Sequence, residues 1–138
     1  MKLESLTAVE ALTAMENREI SAVELAQALI VQAENCREVN ALVNFDAERF
    51  LQAAGIADEK RASGDALGPL HGLPLVIKDN IDVEGFETTA STPALSGNFP
   101  KQTAPVMKKL LDAGAIVMAK TNMHELAFSP GITQPEDG

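Results

Sequence analysis

Two short clusters of polar residues follow two apolar runs in the second half of the chain. Lys78-Asp79-Asn80 comes directly after the run Leu73–Ile77, and Lys120–Glu125 follows the run Ala115–Ala119. Functional groups in open parallel sheets gather at the carboxyl ends of the strands. We therefore expect the two clusters to lie side by side.

Lys78 is the first candidate for chemistry. Burial at the end of an apolar strand favours the neutral amine, which can act as a general base. A lysine in this position can instead form an ion pair with a carboxylate such as Asp79, and the residues alone leave both interpretations open. The stretch before Lys78 lacks the glycine pattern of a phosphate-binding loop, so Lys78 is not a lysine of that kind.

His124 and Glu125 begin a zinc-peptidase pattern, but the position of its second histidine is occupied by Phe128. The only other histidine, His71, stands alone in a predicted turn. We therefore expect neither a metal nor a cofactor. His124 is expected to be a hydrogen-bonding residue behind the site or a core residue.

The remaining candidate nucleophiles are one cysteine and three loop serines. Cys36 lies near the end of a predicted helix, where a small packing role is expected. None of the serines is followed by the glycine-rich turn that supplies oxyanion donors, so loop hydrogen bonding is expected for each. These serines are Ser91, Ser96 and Ser129.

A strand–helix–strand unit must position the two clusters. The strands are predicted at Leu73–Lys78 and Ala115–Ala119, with a crossover helix that Thr103 caps and that carries Pro105 in its first turn. Strands joined in this way are parallel, and the connection is right-handed. The positions expected to be buried on the two strands are Val76 and Val117.

Residues 1–66 are predicted to be helical, because they contain two glycines and no proline. Two sequences fit a capping box, Thr7–Glu10 and Ser21–Glu24, and each predicts a helix start. A short strand is expected at Ala41–Phe45. A third helix of about seventeen residues is expected between the cap Asp46 and the stop Gly64.

Charge and composition exclude several classes of function. The 138 residues carry a net charge of −9 and no Trp or Tyr, which disfavours nucleic-acid and membrane partners. No apolar run approaches the ~20 residues that span a bilayer, and no apolar segment follows Lys2 as in a secretory signal. A single cysteine rules out an intramolecular disulfide. The expected location is the cytoplasm.

Several motifs resemble the N-terminal part of the amidase signature family. The longest is Gly68–Gly85, with its Gly-Pro-Leu-His-Gly-Leu-Pro and Lys-Asp-Asn elements. Thr88–Ala90 and Gly114–Asn122 resemble two further sequence blocks of this family. The first half is similar to the family as well, with Ser21 at a helix start and Asn40–Leu42 entering a strand. The resemblance covers about residues 5–128.

The resemblance implies hydrolysis of carbon–nitrogen amide bonds by a Ser–cis-Ser–Lys triad. Lys78 matches the lysine that takes a proton from a serine held in a cis peptide, and that serine relays the proton from the nucleophilic serine. Met123 would line the substrate pocket. Among small-molecule amide substrates, aryl-acetamide-type and amino-acid amides remain open, as does an amidotransferase role.

The resemblance also implies an α/β fold, with N-terminal helices followed by a βαβ fragment of a larger mixed sheet. Residues 1–128 are expected to form the N-terminal segment of that domain, helical over 1–66 and strand–helix–strand over 67–128. Residues 129–138 are expected to form an unpacked tail. The serine- and glycine-rich stretch of the family is expected after Phe128 but is not found there. The chain is therefore predicted to be a truncated amidase that is inactive alone. The alternative is a non-catalytic remnant or assembly module whose exposed sheet edge recruits a second copy or a complementary fragment.

Overall fold

The computed structural model describes residues 2–128. This part of the chain forms four α-helices and a three-stranded sheet, and the fourth helix connects two of the strands. No helix within this range is both long and apolar enough to cross a membrane. The unpacked tail predicted for 129–138 lies outside the described residues. The elements are α1 (Ala8–Glu16), α2 (Ala22–Asn35), β1 (Leu42–Val43), α3 (Ala47–Ser63), β2 (Pro74–Lys78), α4 (Pro105–Asp112) and β3 (Ile116–Thr121).

The sheet has the strand order β1-β3-β2, so β3 is central. β2 and β3 are parallel and joined through α4, which confirms the predicted βαβ unit. β1 pairs with β3 in the antiparallel direction and is shorter than the strand predicted at Ala41–Phe45. The register between β2 and β3 skips Met118, because Leu75 pairs with Val117 and Val76 pairs with Ala119. This bulge interrupts the alternation of side chains along β3.

The helix boundaries in the first half follow the predicted caps. Both capping boxes are present: the hydroxyls of Thr7 and Ser21 accept from the backbone N–H of Glu10 and Glu24, whose carboxylates accept in return. α3 begins after Asp46, whose carboxylate accepts from the third N–H of the helix, and the following Gly64 is left-handed. These ends are correct because each depends on contacts within one turn of helix.

The predicted cap of α4 was wrong. The residue before this helix is Ala104, which offers no side-chain cap, while Pro105 occupies the first turn as predicted. The Thr103 hydroxyl instead accepts from the backbone N–H of Glu84 at 3.0 Å. The Thr103 hydroxyl therefore binds a residue nineteen positions away instead of capping α4.

Two clusters of buried apolar side chains form the core, and β3 contributes to both. The larger one joins α1, α2 and α3 to β3 around Met15 and Phe50, which are 0% and 1% exposed. The smaller one joins α4 and the loop after β2 to Val117 around Met107. Each fully buried side chain of this size contributes about 1.5–3 kcal/mol by leaving water. The helices of the first half therefore hold β3 in place.

Val117 is buried as expected, but the burial expected for Val76 was wrong. Val76 is 50% exposed, against 8% for Val117. β2 is an edge strand of the described sheet, so it has no neighbour on its outer side. Only the central strand β3 has the near-continuous burial that the apolar run of β2 had suggested.

Two glycine substitutions should have opposite effects on stability. A Cβ on Gly68 would overlap the backbone carbonyl of Ala113, so Gly68→Ala should lower the free energy of unfolding by about 1–3 kcal/mol. Gly55 lies inside α3, where a Cβ would meet nothing within 4 Å, so Gly55→Ala should raise the free energy of unfolding by about 0.5–1 kcal/mol. Urea denaturation measures both, and effects of the same sign would contradict the packing at Gly68.

The capping boxes should make stability depend on acidity. Hydrogen bonds from the Ser21 backbone and then its hydroxyl hold the pKa of Glu24 below its ordinary value of 4.5, and Thr7 does the same for the pKa of Glu10. A pKa lowered by folding stabilises the fold above 4.5, and the contribution disappears as the pH falls through the lowered pKa.

The double variant Glu10→Gln/Glu24→Gln should therefore unfold at lower urea than the wild type at about pH 6, and the gap should narrow at about pH 3. Glu59→Gln is the control, because Glu59 is exposed on α3 and its side chain makes no hydrogen bond within residues 2–128. A gap of equal size at both pH values would show that the carboxylates do not act through the caps.

Candidate functional site

The carboxyl ends of β2 and β3 meet at one edge of the sheet. Lys78 pairs in register with Thr121, and the backbone N–H of Asp79 donates to the Thr121 carbonyl at 3.2 Å. The two polar clusters that follow these strands therefore lie side by side, as predicted. Parallel pairing brings them together although about forty residues separate them along the chain.

A buried ion pair lies directly beneath this edge. The Lys120 Nζ is 3.2 Å from the Asp79 Oδ1, and the two side chains are 0% and 1% exposed. Lys120 also donates to the Glu87 carbonyl at 3.2 Å and to the Thr88 hydroxyl at 3.0 Å. Asp79 Oδ2 accepts from the backbone N–H and the hydroxyl of Thr89, whereas Oδ1 has no hydrogen-bond partner among residues 2–128 beyond the facing ammonium. Both charges are thus compensated inside the protein.

The expected surroundings of Lys78 were wrong in two respects. Lys78 is exposed rather than buried, because Ile77 and Asp79 on either side of it point into the protein. It also forms no ion pair with Asp79, whose carboxylate faces Lys120. Among residues 2–128, no carboxylate lies within ion-pair distance of the Lys78 amine.

Ser91, Asn122 and Met123 form a hydrogen-bonded group at the same edge. The Ser91 hydroxyl donates to the Asn122 Oδ1 at 3.0 Å, and the Met123 N–H lies 3.3 Å from the Ser91 Oγ and 2.9 Å from the Asn122 Oδ1. The Asn122 Nδ2 donates to the Asn40 carbonyl before β1 at 3.1 Å. Met123 is half-buried. The segment after β3 is therefore tied to two other parts of the chain.

The two histidines differ in burial, and only His71, which lies in the predicted turn, agrees with expectation. His124 is exposed, which contradicts a position behind the site or in the core. His71 is buried, and its Nε2 lies 2.8 Å from the Ala57 carbonyl. Within residues 2–128, no three side chains capable of binding a metal lie together. Ser91 makes the loop hydrogen bonds expected of it, whereas Ser129 lies outside the described residues.

An apolar groove of about 640 Å³ lies beside the sheet. Lys78 and Met123 are not among its lining residues, so it is separate from the edge at which the polar clusters meet. Cys36, half-buried, lies along one side. The apolar side chains that line it include Leu29, Ala33, Leu42, Phe45, Val76 and Met118.

Lys120 is the residue whose importance was missed. It was counted among the polar residues after β3, but the structure places it inside the strand, fully buried. The available signal was its position between Ala119 and Thr121, in a run that continues the apolar strand by two residues. A charge at such a position requires a buried partner, and Asp79 after the parallel strand was the nearest candidate.

The comparisons with known proteins agree on one family. The family model described as Amidase matches residues 24–135. Mandelamide hydrolase of Pseudomonas putida is 47% identical over 124 residues, which are 89% of this chain and 24% of the relative. A glutamyl-tRNA(Gln) amidotransferase subunit of Lachnospira eligens is 42% identical over 129 residues, 93% of this chain and 27% of the relative.

The same relationship is seen in solved structures. The native peptide amidase of Stenotrophomonas maltophilia superposes with a TM-score of 0.81 at 31% identity, over 88% of this chain and 26% of that one. The chain spans about a quarter of the length of the relatives it matches. Because the family model matches most of the sequence and the helices and sheet have the same arrangement in the peptide amidase, the chain belongs to the amidase family.

Proposed function

We propose that this chain supplies the general base, Lys78, of a site that hydrolyses carbon–nitrogen amide bonds. The observation that carries the proposal is the position of Lys78 at the carboxyl end of β2 in a member of the amidase family. Ligand and catalytic groups of open α/β sheets lie at this edge. Within residues 2–128 its amine has no carboxylate partner that would favour the charged form.

A lysine acts as a base only through its neutral amine, so a paired carboxylate would oppose the role. Asp79 is the carboxylate next to Lys78 in sequence, but it forms its ion pair with Lys120, whose Nζ lies 3.2 Å from the Asp79 Oδ1. By resemblance, Lys78 takes a proton from a serine in a cis peptide, which relays it from the nucleophilic serine.

We further propose that Met123 lines the pocket for a small-molecule amide in the cytoplasm. It is half-buried, and it follows β3 at the edge where Lys78 follows β2. An apolar thioether can pack against the non-reacting part of an amide substrate without competing for the reactive group. The names of the relatives, a mandelamide hydrolase and a peptide amidase, fit an amide as the common chemistry.

A chimera tests the role of Lys78. In it, this chain replaces the matching segment of the P. putida mandelamide hydrolase, to which it is 47% identical. The chimera should hydrolyse mandelamide, and Lys78→Ala should lower kcat by about 10²–10⁴, the usual contribution of a general base. The 138-residue chain alone, assayed with a chromogenic anilide, should show no turnover above background.

Lys101→Ala is the matched control, because Lys101 is also exposed but lies outside the strands. It should leave kcat within about twofold. Retention of full activity by the Lys78→Ala chimera, with hydrolysis still dependent on the hydrolase's own serines, would show that Lys78 is not the base. A chimera that folds but is inactive with Lys78 intact would count against the proposed function as a whole.

The second candidate is an assembly module, and the exposed edge of β2 favours it. Val76 is 50% exposed and forms one wall of the apolar groove beside the sheet. Unpaired backbone groups and an apolar side chain on one strand are a template for pairing with another chain. The amidotransferase relative is itself named as a subunit.

This candidate predicts a dimer through β2. Light scattering of the 138-residue chain at low micromolar concentration should give twice the monomer mass, and Val76→Lys should return it to the monomer because a charge on the edge strand blocks pairing. Val106→Lys is the control, since Val106 is 56% exposed on α4, away from the groove. A monodisperse monomer before any substitution would contradict the assembly role.

A further inference from the structure

The turn before Ser91 has an uncommon backbone conformation. Ala90 and Ser91 have φ values of +49° and +54°, in the left-handed region that favours glycine. Two consecutive non-glycine residues of this kind persist only where the surrounding structure holds them in place, and such positions cluster at functional sites. The role of this turn therefore depends on the hydrogen bonds that hold it and on the contacts of the Ser91 hydroxyl.

The buried ion pair holds the turn from below. The Asp79 carbonyl accepts from the Ala90 N–H at 2.9 Å, and the Asp79 carboxylate accepts from the Thr89 N–H at 3.2 Å. The Thr89 hydroxyl accepts from the Ser91 N–H at 3.2 Å, and Lys120 binds the hydroxyl of Thr88. Every residue from Thr88 to Ser91 is thus fixed by a hydrogen bond that leads back to Asp79 or Lys120.

The turn presents one hydroxyl to the segment after β3. The Ser91 Oγ donates its proton to the amide oxygen of Asn122 and accepts from the Met123 N–H at 3.3 Å. The Ala90 carbonyl accepts from the Leu126 N–H at 2.8 Å, so the turn contacts this segment at two places. An amide oxygen is not a base, so Asn122 does not activate the Ser91 hydroxyl as a nucleophile.

We propose that Ser91 is a positioning residue that acts through Met123 on substrate binding. Its hydroxyl fixes the backbone of Met123 at the sheet edge that carries Lys78, and the strained turn sets the position of that hydroxyl. The effect on substrate rests on the proposed function, in which Met123 lines the pocket. Removing the hydroxyl takes away one of the two acceptors of the Met123 N–H and leaves the Asn122 Oδ1 at 2.9 Å as the other.

Two glycine substitutions separate the hydroxyl from the backbone strain. Ser91→Gly removes the hydroxyl and relaxes the left-handed residue, whereas Ala90→Gly relaxes its neighbour and keeps the hydroxyl. In the 138-residue chain, amide hydrogen exchange by NMR should be about fivefold faster for Met123 in Ser91→Gly, the size expected for one lost hydrogen bond. In Ala90→Gly, it should stay within about twofold of the wild type.

Unchanged exchange of Met123 in Ser91→Gly would overturn the proposal, as would equal acceleration in both variants, which would assign the effect to strain. Urea denaturation of both variants shows whether global unfolding contributes. Exchange does not depend on turnover, so it tests the position of Met123 even if the mandelamide hydrolase chimera is inactive and the proposed function fails.

In an active chimera, Ser91→Gly should raise KM about fivefold and leave kcat within about twofold, because it disturbs binding rather than proton transfer. A large loss of kcat with unchanged KM would instead place Ser91 among the reacting groups and overturn a positioning role. Ala90→Gly should change neither constant by more than about twofold.

Discussion

The ion pair between Asp79 and Lys120 is the interaction on which the edge of the sheet depends. Two buried charges carry a desolvation cost of several kcal/mol each, which is offset by their mutual attraction and by further hydrogen bonds to each group. Here Glu87, Thr88 and Thr89 supply those partners from the loop after β2. Removing either charge alone would leave the other buried without compensation, at a cost of about 3–5 kcal/mol. The loop is therefore fixed because the charges require it.

The same pair gives the two lysines of the edge different roles. Lys120 forms a buried ion pair with Asp79, whereas Lys78, the neighbour of Asp79 in sequence, is exposed and has no carboxylate partner within the described residues. Strand geometry produces this division, since consecutive residues at the end of β2 point to opposite sides. A carboxylate next to a lysine in sequence is thus not evidence of an ion pair between them.

Features that depend on neighbouring residues were predicted correctly from the sequence. The capping boxes at Thr7 and Ser21 and the helix between Asp46 and Gly64 are examples, because each is decided within one helical turn. The βαβ unit was also predicted, since apolar runs separated by one helix leave few other topologies.

Several other features, which depend on contacts between distant residues, were not predicted. The Thr103 hydroxyl accepts a hydrogen bond from the Glu84 backbone, and no sequence pattern near α4 indicates this contact. The bulge at Met118 changes which β3 residues face inward, so Lys120 could not be placed by simple alternation. The exposure of Val76 follows from the edge position of β2, which is a property of the assembled sheet. The catalytic role of Lys78 and the binding role of Met123 remain predictions.

The two-residue strand β1 has a consequence for the order of folding. It joins β3 through pairs such as Leu42 with Thr121, so its formation closes a loop of about eighty residues. That entropic cost is recovered only after α3, β2 and α4 have brought β3 into place, because a strand of two residues contributes few hydrogen bonds of its own. We therefore expect β1 to join the sheet after β2 and β3 have paired, and to separate from β3 more readily than β2 does.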